Sequence, residues 1–201
     1  MRRYILTFLL IILSVNFIFS EEETNISDTV PESNKYISQL SLGSAYSSYF
    51  FLMDKALDSM DEGSLTRTPI SIDFLFGKKI SPTTAWTGTL NSGVDIFSDS
   101  SDSFQIYTIQ LFAGVQYIPF KKGLNIGVSA GVTILIPNTT IEYIGTTEIG
   151  SSVSIDIGYF FEALKFTKIG IIPGLGVKYI HSEMFRGTVD QICGYINLGI
   201  R

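Results

Sequence analysis

The stretch 124–136, LNIGVSAGVTILI, places an apolar residue at every second position. The apolar series is Leu124, Ile126, Val128, Ala130, Val132, Ile134 and Ile136, and the positions between include Asn125, Gly127, Ser129, Gly131 and Thr133. Because strand side chains point alternately to the two faces, this period of two predicts a β-strand with one apolar face. A tilted strand crosses a bilayer with roughly 9–11 residues, so this stretch is long enough to do so.

The second face of this strand is small and carries no charge. A sheet that faces water on one side is expected to place charged residues such as Lys and Glu there. Small uncharged residues suit the packed interior of a narrow barrel instead. The apolar face is therefore predicted to point outward, toward lipid.

The same pattern recurs from Tyr36 to the end of the chain. The predicted strands are 36–47, 69–78, 84–97, 104–118, 124–136, 149–160, 169–180 and 189–200. The mean hydropathy is +0.30, yet no later segment is a long apolar run of helical-span length. These features predict an all-β fold, an eight-stranded antiparallel up-and-down transmembrane β-barrel.

The first 35 residues differ from the rest of the chain. Arg2 and Arg3 precede an apolar run from about Ile5 to Phe19, which predicts a signal peptide over 1–20 cut after Ser20. Ile18 occupies a position near the cut that normally holds a small residue, so an uncleaved anchor is the alternative. Residues 21–35 are acidic and aperiodic and are predicted to be a disordered tail before the barrel domain of 36–201.

Charge in the predicted connections sorts with their order along the chain. The odd-numbered connections are mostly longer and acidic, with Asp54, Asp58, Asp61, Glu62, Asp99, Asp102, Glu142, Glu148 and Glu183. The even-numbered connections are basic, with Lys78, Lys79, Lys121, Lys122, Lys165 and Lys168. In an up-and-down barrel the two sets lie at opposite rims. We expect the long acidic connections outside the cell and the short ones in the periplasm.

The net charge argues against binding to nucleic acid, and the cysteine count excludes an intramolecular disulfide. Without Arg2 and Arg3 the basic count falls from 14 to 12 against 19 acids, a net charge of 12 − 19 = −7. Such a chain is not expected to bind nucleic acid, which requires Lys and Arg to neutralise phosphates. The single cysteine, Cys193, makes no intramolecular disulfide.

Aromatic residues gather near the predicted strand ends, as in the girdles of membrane barrels. The predicted membrane-interface residues are Tyr36, Tyr46, Trp86, Tyr107, Tyr117, Tyr159 and Tyr179, with Phe76, Phe97 and Phe104 also near strand ends. Most prolines, including Pro69 and Pro137, fall at predicted strand ends. Pro173 falls inside the seventh strand, where it predicts either a bulge or a later strand start.

With these eight period-two strands and aromatic belts, residues 36–201 resemble the small eight-stranded outer-membrane β-barrels of OmpW or OmpX type. The chain departs from that pattern at its end, Ile196-Asn197-Leu198-Gly199-Ile200-Arg201, which lacks a final aromatic residue. The resemblance implies location in the bacterial outer membrane. It also implies one of several functions: adhesin, envelope-stability protein, conduit for small hydrophobic compounds or, rarely, lipid-modifying enzyme.

Four charged residues fall on the predicted lumen face: Asp73, Asp95, Asp156 and Lys178. Buried charges are tolerated when paired, so Lys178 is expected to form a salt bridge with at least one of the aspartates. This predicts a structural polar network. The functional alternative is a polar path or a small-cation site formed by the three carboxylates.

Other candidate sites have weaker signals. His181, Ser182 and Asp190 lie beside the last long connection, but adjacent strand residues point to opposite faces, so His181 and Ser182 are not expected to act as base and nucleophile. The segment Asp99-Ser100-Ser101-Asp102 lacks the ligand spacing of a calcium loop. No catalytic residue, metal site or cofactor is predicted. Apolar residues at helical spacing over 51–62 fit either a short helical lid or a disordered acidic loop.

These observations predict a non-enzymatic envelope protein that acts as a monomer in outer-membrane lipid. Its function is expected to be either contact of acidic outer loops with host or matrix proteins or a narrow conduit for small hydrophobic compounds. The alternatives are a soluble exported barrel of lipocalin type, which needs the apolar face inside, and a lipid-modifying enzyme with its site at the rim.

Overall fold

The computed structural model describes residues 36–49, 66–98, 103–118, 123–138, 147–161 and 171–200. They form a closed antiparallel barrel in which each strand pairs with the next and the last pairs with the first. The strands are β1 Tyr36–Tyr49, β2 Thr66–Ser81, β3 Thr84–Ser98, β4 Ser103–Tyr117, β5 Leu124–Asn138, β6 Glu148–Phe160, β7 Ile171–Met184 and β8 Gly187–Ile200. The predicted fold class is confirmed, and all eight predicted strands are present.

The barrel has two rims, which we name by the connections they carry. The odd rim carries the connections that follow β1, β3, β5 and β7, and the even rim carries the others together with the start of β1 and the end of β8. The predicted signal peptide, the predicted tail over 21–35 and the segment 51–62, expected to be either a short helical lid or a disordered acidic loop, lie outside the described residues. Within the described ranges no helix is long and apolar enough to span a membrane.

The strands are strongly staggered around the barrel. Following paired residues from Ser38 once around the wall returns to β1 at Ser48, a displacement of 48 − 38 = 10 residues. The path runs through Phe76, Gly88, Ala113, Ala130, Val153, His181 and Asp190. A stagger of this kind accompanies a strand tilt of roughly 35–45°, and eight strands leave an interior just wide enough for side chains to fill.

The apolar faces of the strands point outward, as the sequence predicts. Val128, Val132, Ile157, Val177 and Ile196 are each about half exposed or more on the outer wall. The lumen holds buried polar residues at the alternating positions, among them Ser41, Asn91, Gln110, Thr133 and Asn197. The lipocalin-type alternative, which needs the opposite orientation, is wrong.

The lumen is more apolar near its rims than the sequence pattern indicated. Near the odd rim, one buried apolar cluster packs inside the barrel; this odd-rim apolar layer is Tyr49, Phe97, Phe104, Ile106, Leu135 and Val189. Near the even rim, Ile37, Leu75 and Ala85 pack together, and Ile118, Phe160 and Ile172 are buried at the same end. The placement of Phe97 and Phe104 in an outer girdle is therefore wrong, because both rings point inward and stack at 4.6 Å between centroids.

Pro173 predicted either a bulge or a later strand start, and the structure shows the second. The pairing of β7 with β8 is continuous through Pro173, and β7 starts at Ile171, later than the predicted 169. The Pro173 carbonyl accepts a hydrogen bond of 2.8 Å from the Phe161 N–H.

The expectation that odd-rim connections are long and even-rim connections short does not hold for the last strands. β7 and β8 meet through the two residues Phe185 and Arg186 at the odd rim, whereas residues 161–170 separate β6 from β7 at the even rim.

Candidate functional site

The middle of the lumen contains a buried ion pair. Lys178 on β7 contacts Asp73 on β2 through Nζ and Oδ2, across the interior of the barrel. Both side chains are buried, with about 5% of each exposed. Asp156 on β6 lies opposite Lys178 in the β6–β7 register and is close enough to interact electrostatically with both members of the pair. Three of the four predicted lumen charges therefore lie together.

The fourth, Asp95, belongs to a different pair near the odd rim. Its carboxylate accepts hydrogen bonds from Arg67, one of them from Nε to Oδ1 at 2.9 Å. The guanidinium lies 4.1 Å from the Tyr46 ring centroid and 4.9 Å from that of Phe97. Arg67 was missed at the sequence level because β2 was expected to begin at Pro69, two residues later. The alternation of faces identified Asp95 but gave no information on its partner.

Between these two pairs, hydrogen bonds cross the lumen and join six strands. Gln110 Nε2 donates to Gln191 Oε1 at 2.6 Å, and Gln191 Nε2 donates to Ser47 Oγ at 2.8 Å. On the other side Gln110 Nε2 reaches Thr133 Oγ1 at 3.2 Å. Thr133, Ser152 and Ser182 then bond to one another at 2.5–3.1 Å. We call these six residues the lumen belt: Ser47, Gln110, Thr133, Ser152, Ser182 and Gln191.

The lumen thus has polar layers enclosed by apolar ones. The lumen belt and the Lys178–Asp73 pair lie between the odd-rim apolar layer and the buried residues of the even rim. Among the described residues no group of three or more His, Cys, Asp or Glu side chains is arranged to hold a metal ion. The hydrogen bonds of the lumen belt and the Lys178–Asp73 pair cross-link the strands of the barrel wall.

The predicted interface aromatics are all exposed on the outer wall. Tyr36, Trp86, Tyr117 and Tyr159 lie near the even rim, and Tyr46, Tyr107 and Tyr179 lie closer to the odd rim. Trp86 is 58% exposed, and Tyr46 is 64% exposed. The two sets are separated along the strands by aliphatic residues such as Leu111 and Val128.

His181 and Ser182 point to opposite sides of the wall. Ser182 is fully buried in the lumen belt. His181 lies on the outer face, where its Nδ1 is 2.8 Å from Asp190 Oδ1, and the Tyr179 hydroxyl donates to the same oxygen at 2.6 Å. The structure therefore joins His181 to Asp190 but separates it from Ser182. Residues 99–102 lie outside the described residues.

Comparisons with known proteins bear on the fold. No family model matches the sequence, and no curated protein matches it. The attachment invasion locus protein Ail of Yersinia pestis is 11% identical with a TM-score of 0.52, over 83% of this chain and 99% of that one. Ail in complex with the heparin analogue sucrose octasulfate gives 12% and 0.49 over the same shares. Neisserial surface protein A gives 11% and 0.49, over 82% of this chain and 96% of that one.

At 11% identity, the likeness to Ail with a TM-score of 0.52 shows a shared fold. The chain has the architecture of the small eight-stranded outer-membrane β-barrels, which agrees with the resemblance drawn from the sequence. The outward aliphatic faces and the closed strand order are the features that define this class.

Proposed function

We propose that this chain is a non-enzymatic protein of the bacterial outer membrane, in which the barrel is a rigid anchor and the connections of the odd rim bind a partner outside the cell. The observation that carries the proposal is the filled lumen. Apolar layers near both rims enclose a hydrogen-bonded interior, so the described wall offers no open water-filled path. A conduit for small compounds has to displace these layers.

The kind of partner follows from charge. The connections 50–65, 99–102 and 139–147 contain seven acidic residues, against a single Lys, and all three belong to the odd rim. Opposite charges steer association and suppress wrong partners. We therefore expect a basic region of a host or matrix protein to be the partner. A sulfated polyanion such as heparin is expected to be repelled.

The test combines conductance with binding. Protein folded into planar bilayers is expected to give no single-channel steps, and protein in vesicles is expected to bind immobilised basic matrix proteins saturably but not heparin. The triple variant Asp54→Asn/Asp58→Asn/Asp61→Asn should weaken that binding. Lys121→Gln/Lys122→Gln, at the even rim, is the matched control and should not. Regular conductance steps, or equal binding by all three proteins, would contradict the proposal.

The non-enzymatic part has a separate test. His181 is oriented by Asp190, as a general base often is, but its neighbour Ser182 lies on the other side of the wall. A lipid acyl hydrolysis and transfer assay on the purified protein is expected to show the same background for the wild type and for His181→Ala. Hydrolysis that disappears in His181→Ala would show that the rim is catalytic.

A further inference from the structure

The contact between β1 and β2 changes in kind toward the odd rim. From the even rim the two main chains pair as far as Gly43 with Ser71. Beyond that point β1 continues to Tyr49 along β8, and β2 reaches back to Thr66 along β3, without further pairing between β1 and β2. We define the β1–β2 junction as residues 44–49 and 66–70. Connection 50–65 joins its two sides.

Pro69 accounts for the missing main-chain bonds. Continuing the register by two residues places Ala45 opposite Pro69. Proline has no N–H, so it cannot donate to a carbonyl of β1 there. Two residues further on, the same register places Ser47 opposite Arg67, and Arg67 Nη2 donates to the Ser47 carbonyl at 2.5 Å. A side chain therefore makes the contact between the strands that the main chain does not make.

The guanidinium of Arg67 lies between the outer and inner faces of the wall. Its Cζ is 4.1 Å from the centroid of the outward Tyr46 ring and 4.9 Å from that of the inward Phe97 ring. Arg67 Nε donates to the two carboxylate oxygens of Asp95 at 2.9 and 3.0 Å, and Nη2 also contacts that carboxylate. About 11% of the Arg67 side chain and 3% of the Asp95 side chain are exposed. One side chain of β2 thus joins β1 to β3.

We propose that Arg67 is a latch that holds the two ends of connection 50–65 together and so positions this connection for its partner. β1 ends at Tyr49 and β2 begins at Thr66, so the residues that Arg67 joins lie directly beside both ends of the connection. The inference rests on the proposed function, in which the odd-rim connections bind the partner. A loop whose ends are held in place has less conformational freedom to lose on binding.

The fork shape of arginine is required for this role. A guanidinium presents several N–H donors in one plane, so it can bind the Ser47 carbonyl and the Asp95 carboxylate at the same time. A lysine ammonium is a single point of contact on a flexible chain. Arg67→Lys therefore keeps the charge but is expected to lose one of the two contacts.

The first experiment measures the junction without any partner. Spin labels on Ser48→Cys and Thr68→Cys, in a Cys193→Ser background, lie on the outer wall on the two sides of the junction. In nanodiscs their dipolar coupling reports the separation of β1 from β2. Arg67→Gln/Asp95→Asn removes both charges of the latch together, so no single buried charge is left. This variant is expected to lengthen and broaden the distribution of label distances.

Two further proteins complete the first experiment. Labels on Leu42→Cys and Ile72→Cys report on the part of the wall where the main chains of β1 and β2 pair directly. Their distance is expected to stay the same when the latch is removed. Arg67→Lys, a milder change, is expected to broaden the distances across the junction as well.

The second experiment measures binding of the proteins in vesicles to the immobilised basic matrix proteins. Arg67→Gln/Asp95→Asn is expected to bind about tenfold more weakly, because the ends of the connection must then be ordered on binding. The net charge of the protein is unchanged, so weaker long-range attraction does not explain such a loss. Asp73→Leu/Lys178→Met is the matched control. It also removes a buried ion pair at constant net charge, but away from the junction, and it should bind as the wild type does.

Two results would overturn the inference. Unchanged label distances in Arg67→Gln/Asp95→Asn would show that Arg67 does not hold the junction. Separated labels with unchanged binding would show that the junction does not position the connection, and the proposed function would stand without it. Failure of the wild type to bind would contradict the proposed function together with the positioning role. The label distances distinguish that failure from failure of the latch, because they require no partner.

Discussion

The Lys178–Asp73 pair is the residue-level feature with the largest expected effect on stability. Both charges are buried in the middle of the lumen, so removing one leaves the other uncompensated. Lys178→Met is expected to destabilise the barrel by about 3–5 kcal/mol. Urea unfolding in lipid vesicles measures this, with Asp73→Leu/Lys178→Met as the matched control that should recover part of the loss, since Asp156 remains without a neighbouring cation. An unchanged transition for Lys178→Met would remove the structural role of the pair.

The sequence predicted the face of these residues but not their partners. Asp73 and Lys178 are 105 positions apart and meet across the lumen because of the stagger of the strands. A single sequence shows the period of two within each strand and contains no comparable signal for the stagger between strands. For Phe97 two signals disagree: it has the same parity as the inward residues Asn91 and Asp95, whereas its position near a strand end is typical of an outer girdle.

At the level of the strand, the outward faces predict a dependence on depth. Leu111 lies near the middle of β4 and is 49% exposed, whereas Thr66 begins β2 at the odd rim. Arginine on the lipid-facing side of a barrel costs about 2–4 kcal/mol at the bilayer midplane and about 0–1 near the interface. Leu111→Arg is therefore expected to destabilise the folded protein in vesicles by that larger amount, measured by denaturant titration. Thr66→Arg is the control, and equal effects of the two changes would indicate a barrel that does not span the membrane.

The strands were predicted well because each one satisfies two requirements at once. A strand between lipid and a narrow lumen must alternate apolar and small polar residues over its whole length. The pattern in 124–136 can therefore be recognised from a single sequence. Ends are less well defined, because at the rims both faces accept polar residues. β2 begins at Thr66, before Pro69, and this is why the sequence pattern did not place Arg67 in the lumen.

At the level of the whole molecule, the filled lumen predicts that Cys193 is unreactive. Its side chain faces inward and is buried between the odd-rim apolar layer and the buried apolar residues of the even rim. A charged, water-soluble methanethiosulfonate reagent is expected to leave Cys193 unlabelled in vesicles and to label it after unfolding in denaturant. Phe185→Cys in a Cys193→Ser background is the control, because Phe185 is 95% exposed in the β7–β8 turn. Rapid labelling of Cys193 in the folded protein would mean that water reaches the middle of the lumen.

The orientation of the wall is tested most directly by the single tryptophan. Trp86 lies on the outer face near the even rim. In vesicles containing brominated phospholipids its fluorescence should be strongly quenched, and bromines near the headgroup should quench more than bromines near the chain end. Emission that is unchanged by brominated lipid at either depth would show that this face does not contact the membrane, and the transmembrane assignment would be wrong.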